Sequence, residues 1–209
     1  MPSAQNSSDS GPHLRRLLFE AARRAEAMGL VEPAALGALG STPGADASTV
    51  RLLASRVRRA GIAAAAADQL HNVETPSAAE VAGLLETLIA ALEASPVPKF
   101  EWGGLGRVLG PEELATLINV SASSLKRYQS GERDTPDDVA ARLHFLALIV
   151  SDLAGSYNDI GIRRWFHRKR SLLDGRAPAA LLKGNWDPDD EGAMRVRQLA
   201  RELLSLAAT

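Results

Sequence analysis

A chain of 209 residues, 45% of them hydrophobic and 23% charged, can bury one large core or two small ones and has the balance of a globular protein. It contains no cysteine, which excludes disulfides, thiolate metal sites and a cysteine nucleophile. A formal net charge of −1 argues against a non-specific nucleic-acid coat, though not against a sequence-specific reader with a local basic face.

Met1 to Gly11 is Ser-rich and lacks the basic and apolar regions of a secretion signal; it is expected to be a disordered tail, residues 1–11. No apolar run approaches the roughly 18 residues of a membrane span, so a cytoplasmic protein with no membrane partner is expected. Strand alternation is nearly absent and aromatic residues make up only 4%, which predicts an all-α fold.

The first helix is predicted over Pro12 to Gly29, with Leu14, Leu17, Leu18, Ala21, Ala25 and Met28 on one face. A Gly/Pro-rich connector follows from Glu32 to Ala45. The next helical stretch runs from Ser48 to His71, and Gly61 can break it into two shorter helices. A further helix is expected from Ser77 to Ala94, capped by Thr75 or Ser77. A Ser77 cap would place Glu80 for a capping box. Its stripe of Leu84, Leu85, Leu88, Ile89 and Leu92 suits a core face or a dimer seam. Ser95, Pro96 and Pro98 then stop helix formation and mark a boundary after a helical N-terminal region, 12–95.

The segment from Gly110 to Pro136 carries the functional argument. Gly110 and Pro111 open a helix with Glu112 and Glu113 in its positive first turn, and Leu114, Leu117 and Ile118 face inward. Ala115 is small where a second helix must cross. Asn119 sits at the turn, because asparagine tolerates the left-handed conformation, and Val120 points back to the core. Ser121 caps the next helix, which turns Leu125 and Tyr128 inward. Outward it offers Ser123, Ser124, Lys126, Arg127, Gln129 and Ser130, donors and acceptors suited to base edges and phosphates. Gly131 ends it, and Thr135 and Pro136 start the helix that follows. Ser123, Ser124 and Arg127 are the expected major-groove residues, while Lys126 and Arg133 suit phosphates. The spacing E-E-L-A-x-L-x-x-V-S-x-x-S-L-x-R-Y-x-x-G resembles a phage-repressor-like (Xre) helix-turn-helix. The resemblance implies double-stranded operator DNA as a ligand, with a dimer to read two half-sites.

Val139 to Leu153 reads as a long buried helix, in which His144 is a hydrogen-bonded core residue before it is a ligand. Beyond it stand Trp165, the pair Leu172 and Leu173, Gly175, Pro178, and the pair Leu181 and Leu182. An amphipathic helix from Glu191 to Leu206 closes the chain. A helix-turn-helix followed by W…LL-x-G-x-x-P-x-x-LL resembles the Xre/MbcA/ParS antitoxin family over Trp102 to Leu206. The resemblance implies a DNA-binding domain, 100–155, and a toxin-binding segment, 156–209. It implies a homodimer or larger oligomer that represses its own operon, associates with the nucleoid when bound to DNA, and blocks a RES-domain toxin that consumes NAD. Trp165, Leu172, Gly175, Pro178 and Leu182 would then be structural. Toxin contacts would come from the basic segment Arg163, Arg164, Arg168, Lys169, Arg170 and Arg176, and from the final helix. Read from the residues alone, those cations equally suit a solvated helix face or phosphate contacts. The N-terminal region and the longer loop Lys183 to Gly192 depart from the family pattern. The alternatives are a stand-alone transcription regulator or nucleoid-associated protein without a toxin, and a pure interaction protein whose helix-turn-helix is vestigial and whose helices only oligomerise or hold a partner.

An enzyme is not expected, and neither is a cofactor. No phosphate-cradling loop ends in Lys-Ser/Thr, and His13, His71, His144 and His167 lack metal-ligand spacing. Gly103, Gly104 and Gly106 have no strand before them, which argues against a dinucleotide site. Asp187, Asp189, Glu191 and Gly192 fall at the first positions of a calcium loop but suit solvation or helix capping better, since Gln198 stands where a distal Glu would be needed and Pro188 stiffens the start.

Overall fold

In the computed structural model, which describes residues 10–33, 45–72 and 77–207, helices form wherever the apolar spacing is helical. The described residues hold eleven α-helices and one 3-10 turn, and they are all-α. The expected tail falls on residues 1–9, outside those described, except that Ser10 and Gly11 already belong to the first helix. The connector expected from Glu32 to Ala45 falls largely on residues 34–44, and the alternative cap Thr75 on 73–76, which also lie outside. Among the described residues no single helix is long and apolar enough to cross a membrane.

The chain divides into two compact units. One comprises the described residues of Met1–Glu26 and Leu30–Ser95. Its helices are α1 (Ser10–Ala27), α2 (Ala45–Arg59), α3 (Ala64–Asn72) and α4 (Ala78–Ala94). The break between α2 and α3 falls at Gly61, where the Ile62 N–H returns to the Val57 carbonyl at 3.2 Å. Ser77 caps α4 and Glu80 completes the capping box, its carboxylate accepting from the Ser77 N–H at 2.9 Å. That hydrogen bonding, from the Ser77 side chain first and its backbone second, holds the Glu80 carboxyl below its ordinary range. Leu85, Leu88, Ile89 and Leu92 are buried within the unit, so the α4 stripe is a core face, with Leu84 half-buried at its margin. Arg24, buried on α1, pairs with Glu20 one turn away and with Glu93 of α4, both within 2.9 Å.

The other unit comprises Ala27–Gly29 and the described residues of Pro96–Thr209. It contains α5 (Pro98–Leu109), α6 (Pro111–Leu117), α7 (Ala122–Gln129), α8 (Asp137–Leu153), α9 (Asp159–His167), a 3-10 turn at Ser171–Leu173, α10 (Pro178–Leu181) and α11 (Glu191–Ala207). Nearly all of α8 is buried, and α5 and α11 pack against it. Helix α5 went unread in the sequence because three glycines lie within it, and glycine weakens a helix by about 1 kcal/mol relative to alanine. Tertiary packing reverses that preference. A Cβ on Gly104 would stand 2.4 Å from the Ala27 carbonyl oxygen and 2.7 Å from the Gly29 nitrogen, so the helix can approach that backbone only with glycine there.

Trp165 and Phe166 of α9 form an edge-on aromatic pair, 5.3 Å between ring centroids, and both are fully buried. Burial of each contributes on the order of 2–3 kcal/mol. Leu182 and Pro178 are buried as the resemblance implied. Leu172 is not: it is 64% exposed, because the 3-10 turn rotates Leu173 inward and its neighbour outward. Two residues on, Asp174 and Gly175 both adopt positive φ, which folds the chain back so that the Arg170 N–H meets the Arg176 carbonyl at 3.0 Å.

Candidate functional site

The candidate site of the second unit is the pair α6 and α7 with the turn between them. Pro111 occupies the first turn of α6, and Glu112 and Glu113 complement its dipole. Leu114, Leu117 and Ile118 are fully buried. Asn119 takes the left-handed conformation, φ 57°, and Val120 is half-buried. The Ser121 hydroxyl accepts from the Ser124 N–H at 3.1 Å and fixes the start of α7. Leu125 and Tyr128 form the buried face of α7.

The outward face separates into two groups. Ser121 is committed to the cap. The Ser130 hydroxyl closes the other end, donating to the Arg127 carbonyl at 3.2 Å and accepting from the Glu132 N–H at 3.4 Å. Ser123 is exposed and its hydroxyl lies 3.0 Å from that of Ser121; Ser124 is half-buried and receives the Ser121 O–H at 3.0 Å. Lys126, Arg127, Gln129 and Arg133 are exposed, and none of the four forms an ion pair with a described residue. Together with Ser123 they make a polar, cationic surface on one short helix and the loop after it.

Two supports of this pair were not read in the sequence. Trp102, on the glycine-interrupted α5, stacks on Tyr128 with centroids 5.7 Å apart and planes 16° apart. Its indole N–H donates to the Thr135 hydroxyl at 3.0 Å. The second support is the loop from Lys183 to Gly192. Trp186 is buried, lies 5.3 Å from the Phe145 ring, and donates to the Leu117 carbonyl at 2.7 Å. A terminal carbonyl of α6 is thereby satisfied by a side chain far along the sequence. Beside it the Asn119 amide donates to the Asn185 side-chain oxygen at 2.7 Å. Removing the Trp186 donor while keeping an aromatic ring, Trp186→Phe, is expected to cost about 1–3 kcal/mol, read as a lower midpoint in urea unfolding.

The acidic run in the same loop serves the start of α11. Asp187 N–H meets the Asp190 carboxylate at 2.8 Å, and Asp189 N–H meets the Asp187 carboxylate at 2.9 Å. His144, within α8, is bonded through Nδ1 to Glu101 Oε1 at 2.6 Å, and Glu101 is wholly buried on α5. Burial pushes the Glu101 carboxyl above its ordinary range, against the opposing pull of the His144 hydrogen bond.

The basic segment does not form one helix face. Arg163 and Arg164 lie on α9, whereas Arg168, Lys169 and Arg170 follow its end and Arg176 lies beyond the 3-10 turn. Arg163 donates to the Val108 carbonyl at 3.0 Å, and the Arg170 guanidinium lies 5.6 Å from the Trp165 ring centroid. Those two hold the unit together. Arg164, Arg168, Lys169 and Arg176 are exposed. Next to them Arg195 bonds both the Asp174 carboxylate at 2.8 Å and the Leu172 carbonyl at 2.9 Å. The Arg195 hydrogen bond holds the Asp174 carboxyl below its ordinary range. Leu172 and Met194, the latter 52% exposed, add apolar surface.

Compared with known proteins, the chain is similar to a probable mycobacterial cidal antitoxin of Mycobacterium tuberculosis. The two are 35% identical over 98 residues, which is 46% of this chain and 79% of that protein. No protein-family model matches the chain. No solved structure matches it.

Proposed function

The chain belongs to the antitoxin family of its mycobacterial relative, and from that premise we propose that it is the DNA-binding antitoxin of a toxin–antitoxin pair. In this reading it neutralises a RES-type toxin that consumes NAD and represses its own operon as a dimer or larger oligomer. The observation that carries the DNA half is the surface of α7. Leu125 and Tyr128 anchor it, while Ser123, Lys126, Arg127 and Gln129 stand outward on a helix fixed by the Ser121 cap. A rigid, capped helix presenting donors at three- and four-residue spacing fits the major groove, where such side chains read base edges. The toxin half is supported by family membership and by the surface around Leu172, Met194, Arg164, Arg168, Lys169 and Arg176. Apolar residues among cations suit a partner with an acidic, partly apolar face.

The test is co-purification of the tagged chain with the product of the neighbouring reading frame, followed by an NAD-loss assay and binding to the chain's own upstream DNA. The double substitution Lys126→Ala, Arg127→Ala is expected to weaken DNA binding at least about tenfold and to flatten its salt dependence by about two counterions. Capture of the neighbour should be unchanged. Capture without any effect on NAD loss would sink the RES assignment. Capture without DNA binding would sink the repressor half.

A further inference from the structure

Arg133 is exposed, yet it is not loosely held. Its backbone N–H returns to the Arg127 carbonyl at 3.2 Å, and its guanidinium lies over the Tyr128 ring, 5.6 Å from the centroid. Tyr128 is buried and stacks in turn on Trp102. The same Trp102 reaches past the ring to donate to Thr135, two residues beyond Arg133. One indole therefore stacks on the ring over which the guanidinium lies and is also bonded to the loop that carries it. Glu132 and Asp134 flank Arg133 in sequence, but neither forms an ion pair with it. Held arginine loses less side-chain freedom on meeting an anion than a solvated one.

We propose that Trp102, through the Tyr128 ring and the Thr135 hydroxyl, is a positioning residue that presets Arg133 for a phosphate of bound DNA. This rests on the DNA-binding reading above. Trp102 touches no DNA itself. Its effect reaches the duplex only through Arg133, so the two residues must act as a coupled pair rather than independently.

The experiment is a double-mutant cycle on the full chain. The variants are Thr135→Val, Trp102→Phe and Arg133→Ala, alone and with each of the first two combined with the third. The probe is a fluorescent duplex copied from the DNA upstream of the chain's own reading frame, titrated at several salt concentrations. Thermal unfolding confirms that each variant is folded. Thr135→Val is nearly isosteric and deletes only the hydrogen-bond partner, which keeps the test open should Trp102→Phe unfold the unit. Arg133→Ala should weaken binding roughly three- to tenfold and make the salt slope shallower by about one. Thr135→Val and Trp102→Phe should each reproduce part of both effects in the wild-type background, and neither should add a further loss once Arg133 is alanine. Fully additive losses, or an unchanged salt slope in Thr135→Val, would overturn the positioning role while leaving the DNA reading intact. A wild-type chain that does not bind the duplex at all would overturn both.

Discussion

Asp152→Ala is expected to lower the unfolding free energy by about 3–5 kcal/mol, measured by urea titration of the full chain. Asp152 is 1% exposed near the end of α8, and its carboxylate receives the Arg197 Nε–H of α11 at 3.2 Å. A carboxylate taken out of water costs several kcal/mol, which the pairing offsets only while both partners are present. Deleting the carboxylate takes the Asp152 partner from a guanidinium whose side chain is only 14% exposed. The contact α8 makes with α11 should loosen first, so the loss should be accompanied by faster hydrogen exchange along α11. A loss below about 1 kcal/mol would mean that the pair behaves like a surface ion pair, with water reaching it freely.

Glu101 gives the second large effect, and its size depends on pH. Glu101→Ala removes the acceptor 2.6 Å from His144 Nδ1 and opens a space between α5 and α8, a change expected to cost about 2–4 kcal/mol. Glu101→Gln keeps an acceptor and removes the titration. Because burial raises the folded carboxyl above its unfolded value, the folded chain holds this proton to higher pH than the unfolded chain does. The stability Glu101 contributes is therefore fully present below the ordinary carboxylate range and declines as pH rises through the folded value. Wild type should lose stability relative to Glu101→Gln across that window and run parallel to it above. Curves that stay parallel at every pH from acid to neutral would show that the buried carboxyl does not titrate differently in the two states.

Much of the helical content was legible because periodicity and punctuation agreed. The α4 capping box, the Gly61 break, the left-handed Asn119 and the Ser121 cap are local features, set by residues within one turn of each other. What was illegible depends on residues distant in sequence. Helix α5 overrides its glycines because of the backbone packed against Gly104. Nothing in the residues around Trp102 and Trp186 signals their partners, and only the fold brings them to Tyr128 and to the end of α6. The basic run read as one patch, but its first arginine is spent on Val108 and another on the Trp165 ring. The resemblance implied a structural role for Leu172, but a tight 3-10 turn sends it outward while Leu173 turns inward.

Trp186 lies 69 residues beyond the carbonyl it satisfies at the end of α6. A ribosome has therefore made both helices of the pair long before it makes the side chain that finishes them. Until then the Phe145 face is uncovered and the Leu117 carbonyl lacks its indole donor. A message cut short after α8 would yield a chain with every exposed residue of α7 and an incompletely held pair to carry them. The α6–α7 pair is thus finished from a distance, only once the chain has been made through residue 186.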